Sequence, residues 1–145
     1  MAKMNPYLNF DGTAEAAFNF YKSVFGTEFL GGIHRMGDAP GCGDLPAEEK
    51  NRVMHVSLPI NDSGDILMAS DIIPSMGHKL NVGNNVYVSL HPVSKEEADK
   101  LFNALSAGGE VEMPMADMFW GDYFGSFTDK FGIKWMINYS KNQGN

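Results

Sequence analysis

The sequence predicts an α+β fold built from two consecutive βαβββ modules in one domain, 1–145, whose curved mixed sheets enclose a cleft. Three observations predict it. The order strand, helix, strand, strand, strand can be read twice, over about 1–72 and again over about 84–140. The two helices share a register, since Phe18, Tyr21 and Phe25 return as Ala98, Leu101 and Leu105, offset by 80 residues each time. The chain has 145 residues, which suits one compact domain and leaves little for a second.

Residues 5–10 read as a short strand. Gly12 and Thr13 open a helix, with Glu15 placed against its positive end. Ala14, Ala17, Phe18, Tyr21, Val24 and Phe25 fall on one face at helical spacing, and Gly26 ends it as a left-handed cap. Residues 29–36 read as a strand bent at Gly31-Gly32. Residues 37–50, rich in Gly, Pro, Asp and Glu, read as a loop. Residues 53–60 and 66–70 form a hairpin around the turn Asn61-Asp62-Ser63-Gly64. Residues 71–84, with Pro74, Gly77 and Gly83, form a linker. The order then restarts with a strand at 86–90. Ser94 and Glu97 make a capping box for a helix whose buried face holds Ala98, Leu101, Phe102 and Leu105, and Gly108-Gly109 ends it. Strands at 110–118, 123–128 and 133–139 complete the second module.

Composition narrows the function. Hydrophobic residues are 43% and charged residues 20%, which excludes long disorder. The net charge is −7 and the positive residues are scattered, the wrong balance for neutralising phosphates, so neither a nucleic acid nor an anionic membrane is an expected partner. No apolar run approaches about 18 residues, so no membrane span is expected. Residues 1–10 lack the basic flank and apolar stretch of a secretory signal, so the expected location is the cytoplasm. The single cysteine, Cys42, excludes an internal disulfide or a cysteine-rich zinc site and reads as an exposed loop thiol. Ten methionines suit either a core or an adaptable ligand surface.

A βαβββ module covers one sheet face with its helix and leaves the other open, so two modules can enclose a cleft, the usual form of a small-molecule site. Along 53–60, alternation puts Val53, His55 and Ser57 on one face and Met54, Val56, Leu58 and Ile60 on the better core face. His55 then looks toward the cleft. The run Phe119-Trp120-Gly121-Asp122-Tyr123-Phe124 is either a wall of that cleft or the packed end of a hairpin. The cleft candidates are His55, Ser57, Tyr7, Trp120, Asp122, Tyr123 and His34.

With these elements in place the chain resembles the vicinal oxygen chelate superfamily, the glyoxalase, bleomycin-resistance and dioxygenase group, and within it the PhnB-like branch. The resemblance rests on Pro6-Tyr7-Leu8-Asn9-Phe10-Asp11-Gly12, Ala14-Glu15-Ala16-Ala17-Phe18 with Phe20-Tyr21 and Phe25-Gly26, Met54-His55-Val56-Ser57-Leu58, Leu67-Met68-Ala69-Ser70-Asp71, Trp120-Gly121-Asp122, and Asp129-Lys130-Phe131-Gly132-Ile133-Lys134-Trp135. It covers almost the whole chain. It implies the paired-module fold, a homodimer, and either drug-like sequestration or metal-assisted chemistry.

In the enzymes of this superfamily, His and Glu side chains hold a divalent metal that polarises substrate oxygens. Those positions fall near Asn5, Asn85, Met136 and either Met68 or Ser70, and every one departs from the ligand pattern. Of the four histidines, His78 and His91 lie in or beside loops, whereas His34 and His55 lie on strands. This pair is the alternative metal or acid–base site, with Asp71 and Asp122 as partners. Neither Cys42 nor any serine is read as a nucleophile with an adjacent base. Some PhnB-like proteins are labelled demethylubiquinone methyltransferases, but Gly41-Cys42-Gly43 lies in a loop with Pro46 beyond it and no G-x-G-x-x-G occurs.

The leading expectation is therefore a protein that binds a small organic ligand without the usual metal set and without an assigned cofactor. The alternative is a metal-dependent lyase, isomerase or dioxygenase of the glyoxalase type. A structural or regulatory subunit is a third reading that no residue specifically supports.

Overall fold

The computed structural model describes residues 1–141. The chain divides into two compact units, Met1–Asn81 and Val82–Asn145. The first unit contains β1 (Tyr7–Phe10), α1 (Ala14–Phe25), β2 (His34–Arg35), a short α2 (Ala47–Lys50), β3 (Val53–Pro59) and β4 (Ile66–Asp71). The second contains β5 (Val88–Leu90), α3 (Lys95–Ser106), β6 (Glu110–Asp117), β7 (Asp122–Thr128) and β8 (Lys134–Ser140).

The sheet of the first unit runs β1-β4-β3-β2, with β1 parallel to β4 and the other pairs antiparallel. The second runs β5-β8-β7-β6, again with its first pair parallel. One strand order made twice is the duplication expected from the sequence. Neither sheet closes into a barrel.

In the first unit, α1 lays Ala14, Ala17, Phe18 and Tyr21 on the sheet face formed by Phe10, Val56, Leu58, Leu67 and Ala69, all buried. Phe18 meets Phe10 and Tyr21 edge-on, with centroids 6.4 Å and 5.4 Å apart. Gly26 ends the helix at φ +69, its N–H bonded to Lys22 O. The start of α1 has an unexpected cap. Thr13 makes no side-chain cap bond; instead Asp71, at the end of β4 and 4% exposed, accepts the N–H groups of Gly12 and Ala14 on Oδ1 and that of Val53 on Oδ2.

Three sequence expectations change here. The strand expected over 29–36 shrinks to His34–Arg35, because Gly31 and Gly32 both take positive φ (72 and 75) and interrupt the extended backbone. The expected loop 37–50 contains a 3-10 turn at Met36–Asp38 and the helical turn α2. The alternation expected for β3 slips at its start: His34 pairs with His55 but Arg35 pairs with Val53, so Met54 is the extra residue of a bulge. Val53 therefore joins the core at 1% exposure while Met54 is 38% exposed.

In the second unit, Ser94 caps α3 by accepting Glu97 N–H. Glu97 Oε1 in turn accepts Val93 N–H, one residue before the cap. Ala98, Phe102 and Leu105 pack on Leu90, Phe127, Trp135 and Ile137, with Phe102 edge-on to Phe127 at 5.0 Å. Asp129, 3% exposed, fixes the β7–β8 turn by accepting Phe131 N–H, Ile133 N–H and Trp135 Nε1–H. This explains the spacing of the Asp-Lys-Phe-Gly-Ile-Lys-Trp run in structural terms.

Candidate functional site

In each sheet, one set of alternate residues faces the helix and the other lies on the opposite face, where most are half-exposed or exposed and Ser126 is buried. On the first sheet Tyr7 and Ser57 both pair with Met68, so Tyr7, Met68 and Ser57 form one row of the uncovered face. The neighbouring row starts with Asn9 opposite Ser70, whose hydroxyl donates to Asn9 Oδ1 at 3.4 Å. Two residues before Ser57 and two after Met68, the antiparallel register brings His55 onto the row of Ser70. His55 is itself paired with His34. A polar row of Asn9, Ser70, His55 and His34 thus crosses all four strands beside Tyr7, Met68 and Ser57.

His55 ties the two rows together. Its Nδ1 lies 3.4 Å from Tyr7 Oη and its Nε2 lies 2.9 Å from Ser57 Oγ. The Tyr7 and His55 rings stand 5.8 Å apart at 32°. The expectation that no serine sits beside a base is thus corrected. Ser57 has His55 as its neighbour, and in the second unit Ser89 Oγ lies 3.1 Å from His91 Nε2. The two-residue step along a strand returns to the same face, which was legible in the spacing His55-x-Ser57 and Ser89-x-His91.

The second sheet repeats the central row. Ser89 and Ser126 both pair with Met136, as Tyr7 and Ser57 do with Met68. Its surroundings are charged. Lys134 Nζ donates to Glu112 Oε2 (2.7 Å) and Thr128 Oγ1 (3.0 Å), and Tyr87 Oη donates to Glu112 Oε1 (2.9 Å). The Lys134 ammonium holds the Glu112 carboxyl below the usual carboxylate range, and Glu112 pushes both Lys134 and Tyr87 upward. None of the sequence candidates lies in this network. Lys134, Met136 and Asn138 could have been found from the alternation of β8, but Glu112 reaches it from the far edge strand.

At the other end of this face, Asp122 Oδ2 accepts Asn138 Nδ2–H at 3.0 Å. Trp120, 53% exposed, sits in the β6–β7 turn with its ring 6.5 Å from Phe124. Tyr123 is placed differently from the expectation: it points toward α3, where its hydroxyl donates to Asp99 Oδ1 at 2.6 Å. That bond raises the phenol to about 12. Alternation along β7 separates Tyr123 from Asp122 and Phe124. Cys42, read as an exposed thiol, is half-buried.

Two other polar groupings belong to the framework. Arg35 holds Glu15 through two bonds of 3.0 and 2.9 Å, which lowers the Glu15 carboxyl. Arg52 binds Asp11 and Glu48 and donates to Ile72 O. Glu15, Arg35, Glu48, Arg52 and Asp71 line a surface cavity of about 580 Å³. Its walls are charged groups already bonded to one another, unlike the mostly apolar lining of an organic-ligand site.

The donor chemistry does not fit the metal centre of the superfamily's enzymes. Asn5 accepts Ile66 N–H, Ser70 binds Asn9, Asn85 lies outside any strand, and Met68 and Met136 offer thioethers poorly matched to hard divalent ions. Asp71 is not a partner of His34 and His55, being turned to the helix face with three N–H groups on it. Among the described residues, no three His, Cys, Asp or Glu side chains converge as a metal centre.

The paired βαβββ topology and these sheet faces define a class that comparison with known proteins names. The chain belongs to the Glyoxalase/Bleomycin resistance protein/Dioxygenase superfamily, whose family model matches residues 3–137. It is 33% identical to Protein YjdN of Escherichia coli (strain K12), over 97% of each chain. It resembles the crystal structure of PA1353 from Pseudomonas aeruginosa with a TM-score of 0.83 and 37% identity, over 97% of this chain and 98% of that one. A Bacillus cereus PhnB protein, titled a putative 3-demethylubiquinone-9 3-methyltransferase, follows at TM-score 0.75 and 27% identity, over 96% of this chain and 100% of that one. Within the superfamily the chain is a PhnB-like protein. Among the described residues, no helix is long and apolar enough to cross a membrane.

Proposed function

We propose that this protein binds a small organic molecule on the uncovered faces of its two sheets, without the metal set of the superfamily's enzymes. The observation that carries the reading is the half-exposed group of Tyr7, His55 and Ser57 around Met68. It combines a ring, a flexible thioether and convergent hydrogen-bonding groups, the mixture that orients an organic ligand in a mostly apolar site. The counterpart on the second sheet of the Tyr7–Met68–Ser57 row, Ser89–Met136–Ser126, supports a ligand that both modules contact, whether they pair within one chain or across a homodimer in the cytoplasm. In this reading Trp120 and Asp122 contribute from the second module.

The test is a thermal-shift screen of small organic compounds followed by calorimetric titration of the hits. The reading expects a saturable binder whose affinity falls at least tenfold in His55→Ala and Tyr7→Phe. Turnover that requires added metal, with no binder in its absence, would favour the second reading, a metal-dependent lyase, isomerase or dioxygenase. Superfamily membership and the histidine pair favour that alternative. The methyltransferase title of the B. cereus relative receives no support from the Gly41-Cys42-Gly43 segment, which is irregular rather than a strand-to-helix turn.

A further inference from the structure

We infer that Asp122, Trp120 and Phe124 form a subsite for an organic ammonium group at the turn end of the second sheet's uncovered face, which gives the ligand proposed above its charge class and rests on that reading. Asp122 and Phe124 are two residues apart on β7 and so project from one face, about 7 Å from each other. Both are half-buried. Asn138, the β8 partner of Phe124, donates to Asp122 Oδ2 and holds the carboxylate on that face. Among the described residues Oδ1 has no hydrogen-bond partner and Asp122 makes no ion pair. The Trp120 ring stands at 62° to Phe124, 6.5 Å away, and at 87° to Phe119, 4.9 Å away. These steep angles make an aromatic corner rather than a flat stack, with π faces turned in different directions beside a carboxylate.

The chain's own cations leave this corner open. Elsewhere in the second unit a lysine ammonium stands over a tyrosine ring, Lys95 over Tyr123 at 4.6 Å and Lys134 over Tyr87 at 5.4 Å. Among the described residues none stands over Phe119, Trp120 or Phe124. Lys95 and Lys141 are both held by Asp117, and Lys134 by Glu112. Trp120 is 53% exposed, so its ring is available to an outside cation. A cation over tryptophan gains from the ring quadrupole, and quaternary ammonium ligands are bound in this way. The carboxylate adds a charge that a neutral ligand of the same shape cannot use. The net charge of −7 draws cations toward the chain.

The test titrates the full chain with choline and with neohexyl alcohol, its neutral carbon isostere, and follows the indole N–H signals of the two tryptophans by heteronuclear NMR. Choline should move the Trp120 signal saturably, and neohexyl alcohol should not. The Trp135 signal, whose N–H is bonded to buried Asp129, should stay in place. Asp122→Asn and Trp120→Leu should each weaken choline binding by about threefold or more, with the Asn138 side-chain amide as reporter in the second variant. Asp117→Asn, which removes a carboxylate already paired to two lysines, should bind choline as the unsubstituted chain does. Circular dichroism checks that each variant folds, and the exposed Trp120 keeps the test open if Asp122→Asn does not. No saturable shift, an equal response to neohexyl alcohol, or unchanged affinity in Asp122→Asn would overturn the inference. Organic compounds that then still move the Met68 and Met136 methyl signals would leave the ligand reading standing, and their failure to do so would remove both.

Discussion

Replacing Asp71 by alanine separates a framework carboxylate from a functional one. Its side chain is 4% exposed and accepts three backbone N–H groups at 2.8–3.0 Å. Gly12 is exposed, so water can replace the carboxylate there. The N–H groups of Ala14 and Val53 are buried. A hydrogen bond to a charged acceptor contributes about 1.5–3 kcal/mol, so losing two costs about 3–6 kcal/mol. That is a large share of the roughly 5–15 kcal/mol that holds an ordinary domain together. Asp71→Asn keeps one acceptor oxygen but aims an amide N–H at other donors, and should cost about half as much. At roughly 2–4 °C per kcal/mol for a chain near this size, the asparagine variant should melt roughly 3–12 °C lower. Urea unfolding and thermal melts of both variants measure this. A loss below about 1 kcal/mol in the alanine variant would refute the anchoring role and return Asp71 to the candidates for chemistry.

Three further outcomes follow from the same geometry. Gly109→Ala should destabilise by at least about 1–3 kcal/mol in urea unfolding, because a Cβ there would overlap Thr128 O and crowd Asp129 Cα at 2.9 Å, both backbone atoms that cannot swing aside. Ultraviolet titration should find one tyrosine, absent in Tyr123→Phe, ionising near pH 12 rather than 10. Since folding raises that group, its stabilisation is complete below about pH 10 and disappears as pH rises toward 12. Arg35→Gln should cost no more than about 1 kcal/mol, because Glu15 and Arg35 are 44% and 35% exposed at their side chains. As Arg35 lowers Glu15, the small contribution exists above the ordinary Glu value of 4.5 and fades as pH falls below it, so wild type and variant should converge in acid melts.

Much of the architecture was legible because it is written in local signals. The helix face from Ala14 to Phe25, the Gly26 cap, the Ser94–Glu97 cap and the repeated strand order all appear as expected. The errors arise where tertiary contacts decide. Gly31 and Gly32 shorten β2 through their positive φ, and the Met54 bulge shifts Val53 into the core. The helix cap supplied by Asp71 comes from a strand 57 residues from Ala14, beyond any local pattern. The site was half legible. His55 and Ser57 followed from alternation, and His34 joined them through strand pairing. The Lys134–Glu112–Tyr87 group depends on how the two edges of the second sheet meet, which spacing does not encode. Tyr123 was assigned with its aromatic neighbours, but period-two alternation sends it to α3.

The most direct test of the central claim uses the methionines as reporters. Met68 and Met136 lie at the middle of the two uncovered faces, whereas Met36 is buried in the first unit. Methyl NMR of methionine-labelled protein, recorded with compounds from the thermal-shift screen, should show saturable shifts of the Met68 and Met136 signals, lost in His55→Ala. Binders that leave both signals unmoved while shifting methyls elsewhere would place the organic ligand somewhere other than the sheet faces, and the account would fail.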